Sequence, residues 1–269
     1  MPTVLDIVRA TPKTNCGECG FPACMAFAAA CITGQARIKQ CPYIEKDSGL
    51  EGQDEEISSN AFSTCPDTAL LRELQAKVKD IDLTARAEDM GAKFMTLDEG
   101  DALELDYLGK KILLAADYVR DMEGEELDPR DQILLYNYLF FEGSGPISNE
   151  WVGLESFPNS ISKVVTLKKY TEDKLASEFE GQVDVLRELC LRLGALEVVP
   201  CHADLCMTVP VLPMVPIQIY FWDMDEEDGF PARVKALFDA RAMDFLDLES
   251  LVFSAERMAE ILISLKDKD

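Results

Sequence analysis

Apolar residues recur along this chain with two different periods. Residues 22–33 read as a helix, with Pro22 at its first position and Gly34 just past its end. Leu70, Leu71, Leu74 and Val78 share one face of a helix predicted over 67–80. Residues 102–108 and 111–118 read as strands joined near Gly109, which is a hairpin signal. Asp128-Pro129 forms an N-cap and first-turn pair that opens a helix over 130–142. Residues 151–154 predict a short strand, and residues 170–193 a long helix stopped at Gly194. Strands near 204–209 and 217–222 flank a turn punctuated by Pro210, Pro213 and Pro216, and a last helix runs from Leu248 to about Leu265. Helices and hairpins without a regular strand–helix–strand alternation predict an α+β fold: a small helical module followed by a larger mixed domain.

Charge divides the chain in the same way. Of 269 residues, 26 are Lys or Arg and 50 are Asp or Glu, for a formal net charge of -24. Residues 1–48 hold five basic and four acidic side chains, so that segment is at +1 and the remaining 221 residues carry -25. A chain this acidic is a poor match for nucleic acid or an anionic membrane, since phosphate contacts need clustered Lys and Arg. No apolar run approaches the roughly 20 residues of a membrane helix. The opening Met1-Pro2-Thr3-Val4-Leu5-Asp6 lacks the basic and apolar regions of a signal peptide, so a cytoplasmic location is expected. There thiols stay reduced, and clustered cysteines hold metal more often than they form disulfides. The odd total of nine cysteines also fits a closed disulfide set poorly. Residues 46–65 are polar and rich in Gly, Ser and Asp, and they read as a linker between a module at 1–45 and an acidic domain at 66–269.

Five of the cysteines (Cys16, Cys19, Cys24, Cys31 and Cys41) fall in the first segment. Cys16, Cys19, Cys24 and Cys41 follow the spacing C-x2-C-x4-C-x16-C-P. Three thiolates within nine residues can converge on one inorganic centre, and Gly17 and Gly20 permit the tight wrap this needs. Ala23, Ala26, Ala29 and Ala30 would let a bulky cluster lie close to the helix at 22–33. The final Cys-Pro is similar to the ending of ferredoxin cluster runs. The spacing favours a [4Fe–4S] cluster. Structural zinc is the alternative, but it typically uses two C-x2-C knuckles and only one is present. A thioredoxin-like pair would leave Cys24 and Cys41 unexplained. Cys31 lies seven residues after Cys24 on the same face, and it reads as a small buried hydrophobe rather than a spare ligand. Cys65 reads as preceding the next helix, and Cys190 as core beside Val185, Leu186, Leu189 and Leu193.

Residues 3–43 closely resemble the N-terminal iron–sulfur module of the large (gamma) subunit of corrinoid iron–sulfur proteins of acetyl-CoA decarbonylase/synthase. The resemblance rests on the lead-in helix at 4–10, Thr11-Pro12-Lys13-Thr14-Asn15 and the four cysteines. It implies that Cys16, Cys19, Cys24 and Cys41 are cluster ligands and that the cluster passes electrons to cobalt. The same module is appended to other redox proteins of anaerobes, so the resemblance implies an electron-transfer cluster more firmly than a corrinoid. The 204 residues from 66 onward are too few and wrongly patterned for the (β/α)8 barrel that follows the module in that family. That half resembles an uncharacterised C-terminal domain of anaerobes in Pro210–Pro216, Trp222–Pro231 and Leu237-Phe238-Asp239.

The second half offers few candidate groups. His202, the one histidine, lies in Pro200-Cys201-His202-Ala203-Asp204-Leu205-Cys206. It is a candidate axial ligand to cobalt or haem, or a metal ligand with Cys201 and Cys206, set against an ordinary turn histidine. The C-x-x-C-H haem signal and the D-x-H-x-x-G cobalamin signature are both absent. The acidic run at residues 223–228 lacks the spaced loop of an EF-hand and reads as a solvated turn. Tyr136, Tyr138, Phe140 and Phe141 read as core rather than a cofactor wall. No G-x-S-x-G, P-loop or G-x-G-x-x-G is present, and no nucleophile–base pair is visible, so a redox or cofactor-binding protein is favoured over an enzyme. The first expectation is a [4Fe–4S] protein that binds cobalamin, its cluster supplying low-potential electrons to cobalt, with a corrinoid protein or methyltransferase as the expected partner. The second is an electron carrier or accessory protein without corrinoid, docking a basic redox partner through its acidic domain.

Overall fold

The computed structural model describes residues 4–14, 16–19, 21, 23–32, 36, 40–44, 66–225 and 229–268. Asn15, Gly20, Pro22, Thr33, Gly34, the 46–65 connection with its Cys65, and residues 226–228 lie outside the described residues. The chain divides into two compact units, Met1–Glu73 and Leu74–Asp269.

The first unit is built on α1 (Val4–Ala10) and α2 (Cys24–Ile32), which pack on each other. Thr11 ends α1, its amide bonding to the Ile7 and Val8 carbonyls at 3.2 Å and its hydroxyl to Val8 O at 2.8 Å. Ile7, Phe27, Ala28, Ala30, Cys31, Ala36 and Cys41 form one apolar cluster, with Val8, Cys19, Phe21 and Ile44 packed against it. Cys31 is thus a core residue, and its burial rather than the cysteine pattern explains it. Ala26 is exposed while Ala30 is buried, so the alanines do not share one covered face.

Helix α3 (Pro66–Val78) runs across the division between the units; its Leu74 and Val78 are buried, whereas Leu70 is 43% exposed and leaves the predicted face. Asp82 caps α4 (Leu83–Asp89) by accepting from the amides of Thr84 and Ala85. An antiparallel four-stranded sheet follows in chain order, from β1 (Lys93–Leu97) through β2 (Gly100–Tyr107) and β3 (Lys110–Leu114) to β4 (Val119–Asp121). Tyr107 pairs with Lys110 across a two-residue turn in which Leu108 and Gly109 both have positive φ, 45° and 78°. That is the turn geometry whose twist matches the flanking strands.

Helix α5 (Pro129–Phe140) begins where the sequence placed it, with Asp128 accepting from Arg130 N at 2.8 Å. The second sheet has the order β5-β9-β8-β7-β6, all antiparallel: β5 (Trp151–Val152), β6 (Leu196–Glu197), β7 (Leu205–Leu212), β8 (Val215–Trp222) and β9 (Arg233–Asp239). The proline turn is tighter than expected, because Pro210 and Pro216 sit opposite each other inside the strands. Pro210 lies beyond the β6 pairing, which stops at Thr208, and Pro216 beyond the β9 pairing, which starts at Ile217. Neither ring therefore removes a donor from those ladders.

The long helix predicted over 170–193 is broken. Helix α6 (Ile161–Leu167), a π-turn (Lys168–Glu172) and α7 (Asp173–Phe179) run on continuously, and α8 (Val183–Arg192) starts afresh. Gly181 makes the break with φ 71°, its amide donating to Asp223 Oδ1 at 2.7 Å. After the short α9 (Ala242–Phe245), α10 (Leu248–Lys266) packs against α5, α6, α7 and α8 and buries Leu251, Ala255, Met258 and Leu262. The architecture is α+β, a small helical module followed by a larger two-sheet unit.

Candidate functional site

In the first unit the four spaced cysteines differ in their relation to the small apolar core. Cys24 opens α2 and is buried, Cys41 is buried in the apolar cluster, Cys19 packs against it, and Cys16 is exposed. Gly17, with φ 78°, turns the chain between Cys16 and Cys19. Tyr43 Oη donates to Glu18 Oε1 at 2.8 Å. That bond and the Glu18 charge raise the Tyr43 phenol, with smaller contributions from burial and from Cys16 and Cys41. Among the described residues, no three His, Cys, Asp or Glu side chains are drawn together as a ready-made metal group. The donor chemistry nevertheless fits an iron–sulfur cluster: four thiols on one short, glycine-containing segment, partly shielded from water by an apolar wall.

The second unit contains a buried ionic network. Asp131 of α5 accepts from Tyr107 Oη of β2 at 2.6 Å and from Arg257 of α10 twice, Nε at 2.7 Å and Nη2 at 2.8 Å. Burial, then the Asp131 charge, holds the Tyr107 phenol well above its ordinary range. Tyr107 and Asp131 also line a cleft of about 490 Å³, together with Gly109, Lys110, Arg192 and Lys268. The sequence reading missed this network. Its one signal was Arg257, a charge set in the apolar stripe of α10 between Ser254 and Met258. A second buried carboxylate, Asp239, accepts from Ser148 N and Oγ, Asn149 N and Arg241 N, which ties the segment before β5 to the end of β9.

His202 is exposed, on the connection from β6 to β7, and its carbonyl accepts from Trp222 Nε1 at 3.2 Å. Cys201 and Cys206 on either side of it are joined by a disulfide. This corrects the expectation of reduced thiols: Cys201 and Cys206 are engaged with each other. Asp223, in the acidic run, is occupied by backbone amides of Gly181 and Met224. Tyr136 and Tyr138 are fully buried, but Phe140 is 46% exposed, so the aromatic stripe splits between core and surface. Cys190 is core, as its helical position predicted.

Fold and sites define an iron–sulfur module followed by an α+β domain, and the comparisons with known proteins divide the chain in the same way. Residues 12–43 match the family described as "Putative Fe-S cluster", and form an iron–sulfur cluster-binding module. Residues 82–261 match the family described as "Domain of unknown function (DUF3786)", and the chain belongs to that family. The chain is 46% identical over 52 residues to the corrinoid/iron-sulfur protein large subunit of Moorella thermoacetica, covering 19% of this chain and 11% of that one. It is 48% identical over 42 residues to the acetyl-CoA decarbonylase/synthase complex subunit gamma of Methanocaldococcus jannaschii, covering 16% and 9%. It is also 55% identical over 31 residues to a subunit of the ion-translocating oxidoreductase complex of Thiobacillus denitrificans, covering 12% and 16%. The chain thus spans about a tenth of the length of the first two of these relatives. No solved structure matches it. Among the described residues no helix is long and apolar enough to cross a membrane.

Proposed function

We propose that the chain is an electron-transfer protein in which Cys16, Cys19, Cys24 and Cys41 hold a [4Fe–4S] cluster and the acidic domain docks a basic redox partner. One observation carries this reading. The module is similar to parts of two kinds of protein, one named for a corrinoid and one for ion translocation, so the chemistry common to both is the cluster. When bound, such a cluster supplies one-electron transfer, at a potential tuned by hydrogen bonds to sulfur and by exposure. This chain's residues bear on exposure: Cys41 lies in the apolar cluster, Cys24 is buried, and Cys16 faces water. Ligation requires the four thiols to close together, so metal content and folding of the module are coupled. The surplus negative charge of the second unit supports steering toward a positively charged partner, weakened by salt.

A corrinoid is the second reading, favoured by the names of the relatives, with a corrinoid protein or methyltransferase as partner. His202 would be its one imidazole ligand. Oxygen-free purification, with cobalamin offered and iron, sulfide, zinc and cobalt then measured, tests both readings. The expected result is about four irons and four sulfides per chain and a visible absorption bleached by dithionite. Zinc without sulfide would overturn the cluster. Stoichiometric cobalt lost in His202→Ala would replace the simple carrier with a corrinoid protein.

A further inference from the structure

We propose that Cys201 and Cys206 are a thiol–disulfide exchange site, which cycles against a dithiol reductant independently of the cluster reading. The two half-cystines differ in access. Cys206 lies in β7 and is 3% exposed, whereas Cys201 is exposed on the preceding connection. An attacking thiolate can therefore reach only one of the two sulfurs readily.

The bond contributes little that the fold lacks. Its half-cystines are only five residues apart, and short loops gain least from cross-linking. The two strands flanking its loop are already held by the Leu196–Thr208 and Glu197–Met207 pairs and by Val198 N to Cys206 O at 2.9 Å. On the other side, Cys206 is paired with Tyr220 in β8. Opening the disulfide leaves those ladders in place, as reversible exchange requires.

Access gives Cys201 the nucleophile's role. It is exposed, with the Ala203 amide at 3.4 Å and the Ala203 carbonyl at 3.2 Å from its Sγ, whereas Cys206 is buried. The buried Cys206 is the resolving thiol. In the reducing direction, a reductant thiolate attacks Cys201 Sγ, the Cys201–Cys206 bond breaks, and Cys206 leaves with the electron pair and takes a proton. The reductant's second thiolate then attacks its own sulfur in the mixed disulfide, releasing Cys201, which takes the second proton. The protein gains two electrons and two protons, and the dithiol becomes a disulfide.

The turn also carries a reporter. Trp222 is fastened to it through the His202 carbonyl, Asp204 accepts from Asp223 N at 2.8 Å, and the Arg233 guanidinium lies 4.3 Å from the centre of the Trp222 ring. Opening the bond should loosen this anchorage and shift Trp222 emission.

The test equilibrates the native full-length protein with oxidised and reduced dithiothreitol. Thiols are then alkylated, and the peptide bearing residues 201–206 is read by mass spectrometry alongside Trp222 emission. The expected result is a reversible transition at Cys201 and Cys206, with emission tracking it. With glutathione disulfide, reduced Cys206→Ser should form a mixed disulfide at Cys201 at least tenfold faster than Cys201→Ser forms one at Cys206. A pair reducible only after denaturation, a pair never found oxidised, or equal capture by both variants would each overturn the proposal.

Discussion

Arg257 grips Asp131 with two parallel hydrogen bonds, Nε to Oδ1 at 2.7 Å and Nη2 to Oδ2 at 2.8 Å, joining α10 to the first turn of α5. Both side chains are buried, and Tyr107 adds a third bond from β2. Removing Arg257 strands the Asp131 charge out of water, whereas removing Asp131 leaves Arg257 still paired with Glu260, so Arg257→Met should cost about 3–5 kcal/mol of folding stability and Asp131→Ala less. The double variant strands neither charge of the pair, leaving only the Tyr107 hydroxyl without its acceptor, and should lose less than the sum of the two. Denaturant unfolding of all four proteins measures this; additive losses would contradict the coupling.

Gly109 is required for two reasons that can be separated. Its φ of 78° strains any other residue, and a Cβ there would lie 2.7 Å from Leu193 Cα and 2.9 Å from Arg192 O. Gly181 has a similar φ of 71° but open space around it. Gly181→Ala should therefore lose only the backbone preference, about 1–2 kcal/mol. Gly109→Ala adds backbone overlap, on the order of 1–3 kcal/mol more. Equal losses in thermal unfolding would mean that the neighbouring turn at Leu193 yields freely.

Elements with an apolar period and a polar cap were legible in the sequence, and the helix opened by Asp128-Pro129 is the plainest case. Strand β1 was not, because none of its five residues is fully buried and its pattern carries no contrast. Strand β9 alternates buried Val234, Ala236 and Phe238 with Lys235 and Leu237, a signal present but passed over. The break at Gly181 depends on a carboxylate 42 residues away, which no local pattern shows. The iron–sulfur module was readable because its cysteine spacing is a local signal, and residues 12–43 match an iron–sulfur family. The Tyr107–Asp131–Arg257 network was hidden because its members are 24 and 126 residues apart.

Cys190 illustrates burial acting on a titratable group. Desolvation alone raises its thiol from 9.0 to about 12. The folded state therefore prefers the neutral thiol more strongly than the unfolded chain does. That advantage is complete below pH 9 and is lost as pH rises from 9 toward 12. Cys190→Ala should flatten the fall in stability across this range while creating a small cavity that lowers stability at neutral pH. In the folded protein freed of iron at pH 8, iodoacetamide should modify Cys190 far more slowly than Cys16, which is exposed. Comparable rates would show that α8 opens locally.

Cys31 separates ligation from packing in the first unit. It is fully buried beside Ile7 and Phe27, in the same cluster as Cys41, yet only Cys41 belongs to the spaced set of four. If ligation follows the spacing, Cys41→Ser and Cys16→Ser remove a thiolate and should lose the bulk of the bound iron and sulfide. Cys31→Ala should retain both and lose only packing, on the order of 1 kcal/mol for a small side chain. Cys16→Ser is the sharper of the two ligand variants, because Cys16 is exposed and its replacement disturbs no core contact. Iron analysis with the visible spectrum, run beside thermal unfolding, distinguishes the outcomes. Iron lost in Cys31→Ala and kept in Cys16→Ser would exchange the roles of the two cysteines and overturn the assignment of the four ligands.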